Sequence, residues 1–280
     1  MRIATSAGRA VLLVGEHADH AVDLAEVSDG RFGPDPEAVY EQWQAFVQWG
    51  AQATLPEGAP VEVSRLGPPV PAPRQIFGIG LNYRDHAQEA GLDIPTELLV
   101  FTKFPSCLTG PDAQVRLPSD RVDWEVELVV VIGREALAVS PEQAWEHVAG
   151  LTIGQDLSER RVQFAVKPPQ FSLGKSYPGF GPTGPAVVTA DELPDKNALA
   201  IGCTIDGEVM QDGTTADFIF DVAAVVSGLS QVVRLLPGDL IFTGTPAGVG
   251  SVRQPRRYLA PGETIVSTIK GLGSITTRLV

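Results

Sequence analysis

Residues 122–133, VDWEVELVVVIG, constrain the fold of this chain more than any other stretch. Side chains alternate between the two faces of a strand. Trp124, Val126, Leu128 and Val130 therefore share one wholly apolar face, which must be buried. Asp123, Glu125 and Glu127 open the other face, which closes with Val129 and Val131. The segment reads as one strand over 122–132. Three carboxylates in a row, followed by valines, repel one another unless a cation sits among them. A hard divalent cation takes oxygen ligands and relieves that repulsion. The competing reading is a solvent-facing acidic edge.

Around this strand the sequence is punctuated by turns. Its 280 residues include 29 Gly and 23 Pro, a usage that fits a strand-rich α+β fold better than a helical bundle. Residues 1–54 read as a small N-terminal domain. It opens with a hairpin around Ser6-Ala7-Gly8-Arg9, followed by a helix from Pro36 to Trp49, capped by Asp35, with Val39, Trp43, Phe46 and Val47 on its apolar stripe. Residues 55–74, LPEGAPVEVSRLGPPVPAPR, read as a proline-rich connector. Residues 75–280 form the main domain, with a buried strand over 75–81. Ser140-Pro141-Glu142-Gln143 reads as the capped start of a helix that Gly150 ends. A second helix is expected over 221–235, and a closing hairpin turns at Gly271–Gly273.

The formal net charge is −13, with no basic face for nucleic acid. Cys107 and Cys203 are the only cysteines and give neither a zinc spacing nor a disulfide framework. No apolar run has the length of a membrane span and no signal-peptide cleavage pattern is present, so the expected setting is cytoplasmic.

Four further segments carry chemistry. An apolar stretch, residues 151–154, delivers Asp156 to a strand end, with Ser158 as the cap of a following helix. In GLNYRDHAQEAG, residues 80–91, His86 and Glu89 fall on one side of a helical turn and can hydrogen-bond. Such a pair can serve as a general base, or be an ordinary surface histidine with its neighbour. Gly91 and Pro95 give this helix flexible ends, suited to closing over a substrate. Lys175, in the glycine-rich stretch FSLGKSYPGFGPTGP, either neutralises a substrate or enolate charge or is solvated. The loop FTGTPAGVG, residues 242–250, offers hydroxyls and bare amides that can cradle an anionic oxygen. It lacks the G-K-[ST] ending of a P-loop.

Taken together and in order, GLNYRDHAQEAG, FTKFPSCLTGP, VDWEVELVVVIG, GQDLSERRVQF, GKSYPGFGPTGP, QDGTTADFIF and LLPGDLIFTGTPAGVG resemble the catalytic domain of the fumarylacetoacetate hydrolase family. The resemblance implies a mixed β-sheet roll with flanking helices, paired as a homodimer. It implies that Glu125, Glu127 and Asp156 hold one Mg2+ or Mn2+ ion, with Ca2+ the less usual occupant, and that Asp123 stands behind them. It implies a water-activating dyad in His86 and Glu89. Arg160, Gln163, Lys175, Gly244 and Thr245 match positions around a small 2-oxo acid substrate. Three places depart from the family pattern: Gln155 before Asp156, Glu159-Arg160-Arg161, and Pro178 after Tyr177. Arg161 reverses a charge there.

The implied activity is hydrolysis of a carbon–carbon bond in a 1,3-dicarbonyl or acylpyruvate-like acid. The alternative is decarboxylation or isomerisation of a 2-oxo diacid through an enolate. A glycosidase would also use paired carboxylates, but aromatic residues are only 7% and glycine-rich loops stand where aromatic platforms would be needed.

Overall fold

The strand expected over 122–132 is present but broken. In the computed structural model, which describes residues 1–280, ladder pairing runs over Val122–Asp123 and again over Val126–Ile132, leaving Trp124 and Glu125 between them. Val126–Ile132 pairs antiparallel with Val148–Gln155 on one side and with Leu240–Phe242 on the other. It therefore lies inside a 12-stranded sheet, with all seven of its residues buried.

Its two faces serve different cores. Val126, Leu128, Val130 and Ile132 enter the larger core, which also takes Ile201, Cys203, Ile265 and Ile275 from a separate five-stranded sheet. Val129 and Val131 enter a second core with Phe32, Val39, Tyr40, Trp43 and Phe46. Fully burying a side chain of this size contributes about 1.5–3 kcal/mol, so the valine tail ties the N-terminal helices to the central sheet.

The N-terminal hairpin forms as the sequence predicts. Arg2–Ser6 and Arg9–Val14 pair with Ser6 opposite Arg9, and Ala7 and Gly8 both take positive φ, the signature of a type I′ turn. The hairpin does not stand apart: Arg2 and Ile3 pair with Val188 and Val187, so residues 1–14 extend the main sheet. The sheet is mixed, since Leu240–Phe242 runs parallel to Ile76–Gly80, and Leu99–Thr102 closes its far edge. The resulting strand-rich α+β architecture is the expected fold class.

Several local expectations need correction. The helix from Pro36 breaks at Gln42 into Pro36–Glu41 and Trp43–Gly50. Asp35 caps it through the Glu37 amide, but the break turns Val47 outward, 41% exposed. Pro141–His147 is a 3-10 helix, and the Ser140 side chain caps no amide. Gly150 ends no helix; it lies within the strand Val148–Gln155, opposite Val131. Glu159, not Ser158, caps the short helix Arg160–Gln163, accepting from the Val162 amide. The helix expected over 221–235 is Val222–Ser230, capped by Asp221. No helix is long and apolar enough to cross a membrane.

Gly150 is glycine because of space. A Cβ there would lie 2.4 Å from the Val188 carbonyl oxygen and 2.8 Å from Val187 Cγ1. Gly150→Ala should destabilise the fold by about 1–3 kcal/mol, the usual cost of overpacking a core. A lowered urea midpoint with unchanged m is the expected result, and an unchanged midpoint contradicts it.

Candidate functional site

The break at Trp124 and Glu125 is what makes the site. Leaving the ladder would strand two backbone amides, and two glutamines take them. The Glu125 amide donates to Gln155 Oε1, and the Val126 amide donates to Gln211 Oε1 at 3.0 Å. Gln155 is itself held by Ser267 Oγ at 2.9 Å, and Gln211 donates to Thr245 Oγ1 at 2.6 Å and to the Pro246 carbonyl at 2.8 Å. The departure at Gln155 thus has a structural use. With their backbone held this way, Glu125 and Glu127 turn toward Asp156, whose amide donates to the Glu125 carbonyl at 2.8 Å.

Glu125, Glu127 and Asp156 each offer a carboxylate oxygen within 4.8 Å of the others. All three are buried. Three cations surround them. Lys175 Nζ bridges Glu125 Oε2 at 2.5 Å and Asp156 Oδ2 at 2.6 Å. Lys103 Nζ donates to Asp156 Oδ1 at 2.6 Å and to the carbonyls of Lys175 and Phe180. Arg160 reaches Glu125 Oε1 at 2.6 Å, Asp123 Oδ2 at 2.7 Å and Gln163 Oε1 at 2.9 Å.

The carboxylates are not equally served. Burial raises the Glu125 pKa, but Lys175 and Arg160 outweigh it and hold the group at about 2. Burial pushes Glu127 well above the usual carboxylate range, and Asp156 and Glu125 push it further. Its hydrogen-bond partner is the Gly244 amide, at 2.8 Å. Glu127 is thus the member most in need of a cation. An oxygen-only, buried, three-carboxylate donor set suits a hard divalent ion such as Mg2+, Mn2+ or Ca2+, so these residues fit the ion that the sequence resemblance implies.

Asp123 lies outside the triad. Its oxygens accept from the amides of Trp124, Gly250 and Ser251 and from Arg160. The glycine-rich loop therefore does cradle anionic oxygens, but they belong to the protein. The Gly244 amide holds Glu127, the Gly250 amide holds Asp123, and the Gly248 amide holds both oxygens of Glu89 at 3.0 and 2.9 Å.

Glu89 in turn faces His86, with Nδ1 2.7 Å from Oε1. Both sit on the helix Arg84–Ala90, which Gly91 ends at φ 65°. Asn82 fixes the start of this helix. Its side chain donates to the carbonyls of Phe220 and Thr243 and accepts from the Phe220 amide.

A cavity of about 240 Å3 joins these groups, lined by His86, Glu125, Glu127, Arg160, Gln163, Lys175, Gly244 and Thr245 among others. The structure thus brings most of the sequence-derived candidates to one place; Asp156, tied to Lys175, and Glu89, on the wall of a neighbouring groove, stand outside this lining. Several donors are already committed. Thr245 Oγ1 donates to the Val126 carbonyl at 2.8 Å while accepting from Gln211. The Gly244 amide and the Arg160 guanidinium are spent on carboxylates. Gln163 keeps its side-chain NH2 free. Arg161 does not face the site: it is exposed and pairs with Asp120 at 2.9 Å.

Lys103, Gln211 and Asn82 were not singled out by sequence. Each is a polar residue in an otherwise apolar or turn-rich setting, and only its burial, at 2% exposure or less, marks it.

Removing the Glu127 charge should help the metal-free fold and remove the ion's effect. Glu127→Gln is expected to raise the stability of metal-free protein by about 1–2 kcal/mol, the usual gain from relieving a functional site. It should also abolish thermal stabilisation by added Mn2+. Parent-like Mn2+ stabilisation in this variant would place the ion elsewhere.

Known proteins resemble this chain in sequence and in fold. Residues 75–280 match the family profile described as fumarylacetoacetate (FAA) hydrolase C-terminal. The human mitochondrial oxaloacetate tautomerase FAHD2A is 41% identical over 230 residues, covering 81% of this chain and 73% of that protein. A Mycobacterium smegmatis protein solved under the name HpcE is 50% identical with a TM-score of 0.94, covering 100% of this chain and 99% of the other. Maleylpyruvate hydrolase from Sphingobium sp. SYK-6, solved with a manganese(II) ion and pyruvate, is 27% identical with a TM-score of 0.80, covering 100% and 99%.

Proposed function

We propose a reaction for this chain from the premise that it belongs to the fumarylacetoacetate hydrolase family, which its match over residues 75–280 shows. The reaction is hydrolytic cleavage of a carbon–carbon bond in a 1,3-dicarbonyl 2-oxo acid of the acylpyruvate type. It depends on one divalent cation, Mg2+ or Mn2+, held by Glu125, Glu127 and Asp156. The observation that carries this reading is that His86, hydrogen-bonded to Glu89 behind it, lines the same cavity as Glu125 and Glu127.

A cation at the triad supplies Lewis-acid polarisation of the substrate's oxygens. The chain's own residues do the rest. Glu89, clamped by the Gly248 amide, accepts a hydrogen bond from His86 Nδ1–H and so leaves Nε2 free to take a proton from water. The activated water attacks the distal carbonyl carbon, and the bond to the central carbon breaks. The departing enolate's negative charge develops beside Lys175, which offsets it. The free NH2 of Gln163 donates to the substrate carboxylate. Arg160 holds Gln163 and Glu125 in place, and Thr245 holds the backbone of Val126. We also place the chain in a homodimer; light scattering at micromolar concentration should return twice the mass of one chain.

The second reading, tautomerisation or decarboxylation of a 2-oxo diacid, is favoured by the name of the human relative. The same dyad would then move a proton between carbon and oxygen. Product analysis on oxaloacetate and on acylpyruvates separates the two.

His86→Ala should lower turnover by roughly 10²–10⁴, the usual worth of a general base, and leave metal affinity intact. Glu89→Gln should lower it less, because the imidazole remains but loses its orientation. Near-parent turnover by His86→Ala on an accepted substrate removes the dyad from the mechanism. Loss of metal binding in that variant would make His86 a ligand.

A further inference from the structure

The cavity changes character along its depth. Its floor is charged and its outer wall is apolar, built from Leu92, Leu99, Phe101, Phe164, Phe171 and Val252. The three aromatic rings form a cluster, with centroids 5.7 Å apart for Phe101 and Phe171 and 5.9 Å for Phe164 and Phe171. Phe101 marks the boundary, since Lys175 Nζ lies 5.0 Å from its ring centroid. The backbone is shaped for this ring. Gly78 pairs with Phe101 across the strands, and a Cβ on Gly78 would lie 2.2 Å from the Phe101 ring.

Leu92, Leu99 and Phe164 are 57%, 50% and 54% exposed, an apolar surface continuous with the buried site. Apolar patches rimmed by polar groups mark binding sites. Charge narrows the occupant. Asp123, Glu125 and Asp156 are matched by the cations Lys103, Arg160 and Lys175, while Glu127 has no ion pair of its own. A divalent ion bound against the Glu127 carboxylate would leave one positive charge, which a single substrate carboxylate neutralises. A second carboxylate would meet an apolar wall whose remaining basic group, His86, is paired with Glu89. Arg253 and Arg256 line a neighbouring groove that shares Ala90, Ser251 and Val252 as its wall.

We infer that this outer wall is a distal subsite for a hydrocarbon group, so that the substrate is a 2-oxo acid with one carboxylate and a compact apolar tail. The inference rests on the head-group reading above and adds the identity of the tail. A cavity of about 150 Å3 accepts a benzene ring, so 240 Å3 holds a head group and a small tail.

Calorimetry on the Mn2+-loaded protein with a series of straight-chain 2-oxo monoacids, pyruvate upward, tests this without turnover. Each added methylene should tighten binding about fourfold until the wall is covered. Dicarboxylic 2-oxo acids of matched length should bind weaker, by on the order of tenfold, because the second carboxylate is desolvated without a partner. Leu99→Arg, on the half-exposed edge strand, should reverse the order, gaining the diacids and losing the hydrocarbon increment. Affinity independent of chain length, or diacids that bind the parent more tightly than matched monoacids, overturns the distal subsite while leaving the head-group reading intact. If no 2-oxo acid binds at all, pyruvate included, the head-group reading itself fails and this inference falls with it.

Discussion

Four carboxylates buried against one another are the constraint that the rest of this structure answers. Removing ionised groups from water costs several kcal/mol each even after relaxation, and like charges at these separations add to it. The chain meets the cost with two buried lysines, one buried arginine and a row of loop amides. Those partners come from segments spread across the sequence, from Lys103 to Gly250. The acidic cluster can therefore exist only when the whole main domain has closed around it. The balance is incomplete by design of position: Glu125 is over-supplied with cations and Glu127 under-supplied. A site that were fully neutral without an ion would have little reason to bind one.

The legible parts of the fold are those whose signals are local. The alternation over 126–132, the turn at Ala7-Gly8 and the cap Asp35 are each decided by a few neighbouring residues, and each stands as read. The break in the central strand is not local. It depends on Gln155 and Gln211 supplying acceptors to the Glu125 and Val126 amides from other strands. Gly150 was misread for the same reason. Glycine after an apolar run signals a helix end, but here it answers the approach of the Val188 carbonyl from a distant strand. Lys103 was passed over because a lone lysine in FTKF reads as solvated, whereas its ammonium is closed in by Asp156 and two carbonyls. The site candidates were legible as a set because the order of the segments carries information that no single segment does.

The glycine-rich loop changes what kind of device the site is. Its amides are spent on Glu127, Glu89 and Asp123, so a ligand has few bare donors left to claim there. One short loop thereby sets the position of a prospective metal ligand, of the carboxylate that orients His86, and of the acid that anchors Arg160. The three-carboxylate cluster and the His86–Glu89 pair are registered to each other through the backbone of this loop. Gly248 is the critical point. It sits at φ 110°, and a Cβ would lie 2.1 Å from the Met210 carbonyl, so no other residue fits. The helix Arg84–Ala90 is held at its start by Asn82 and by the Asp85 amide on Asp217, and at its end by this single amide on Glu89. The amide that ties the helix Arg84–Ala90 to the loop is thus the same amide that fixes the carboxylate facing His86.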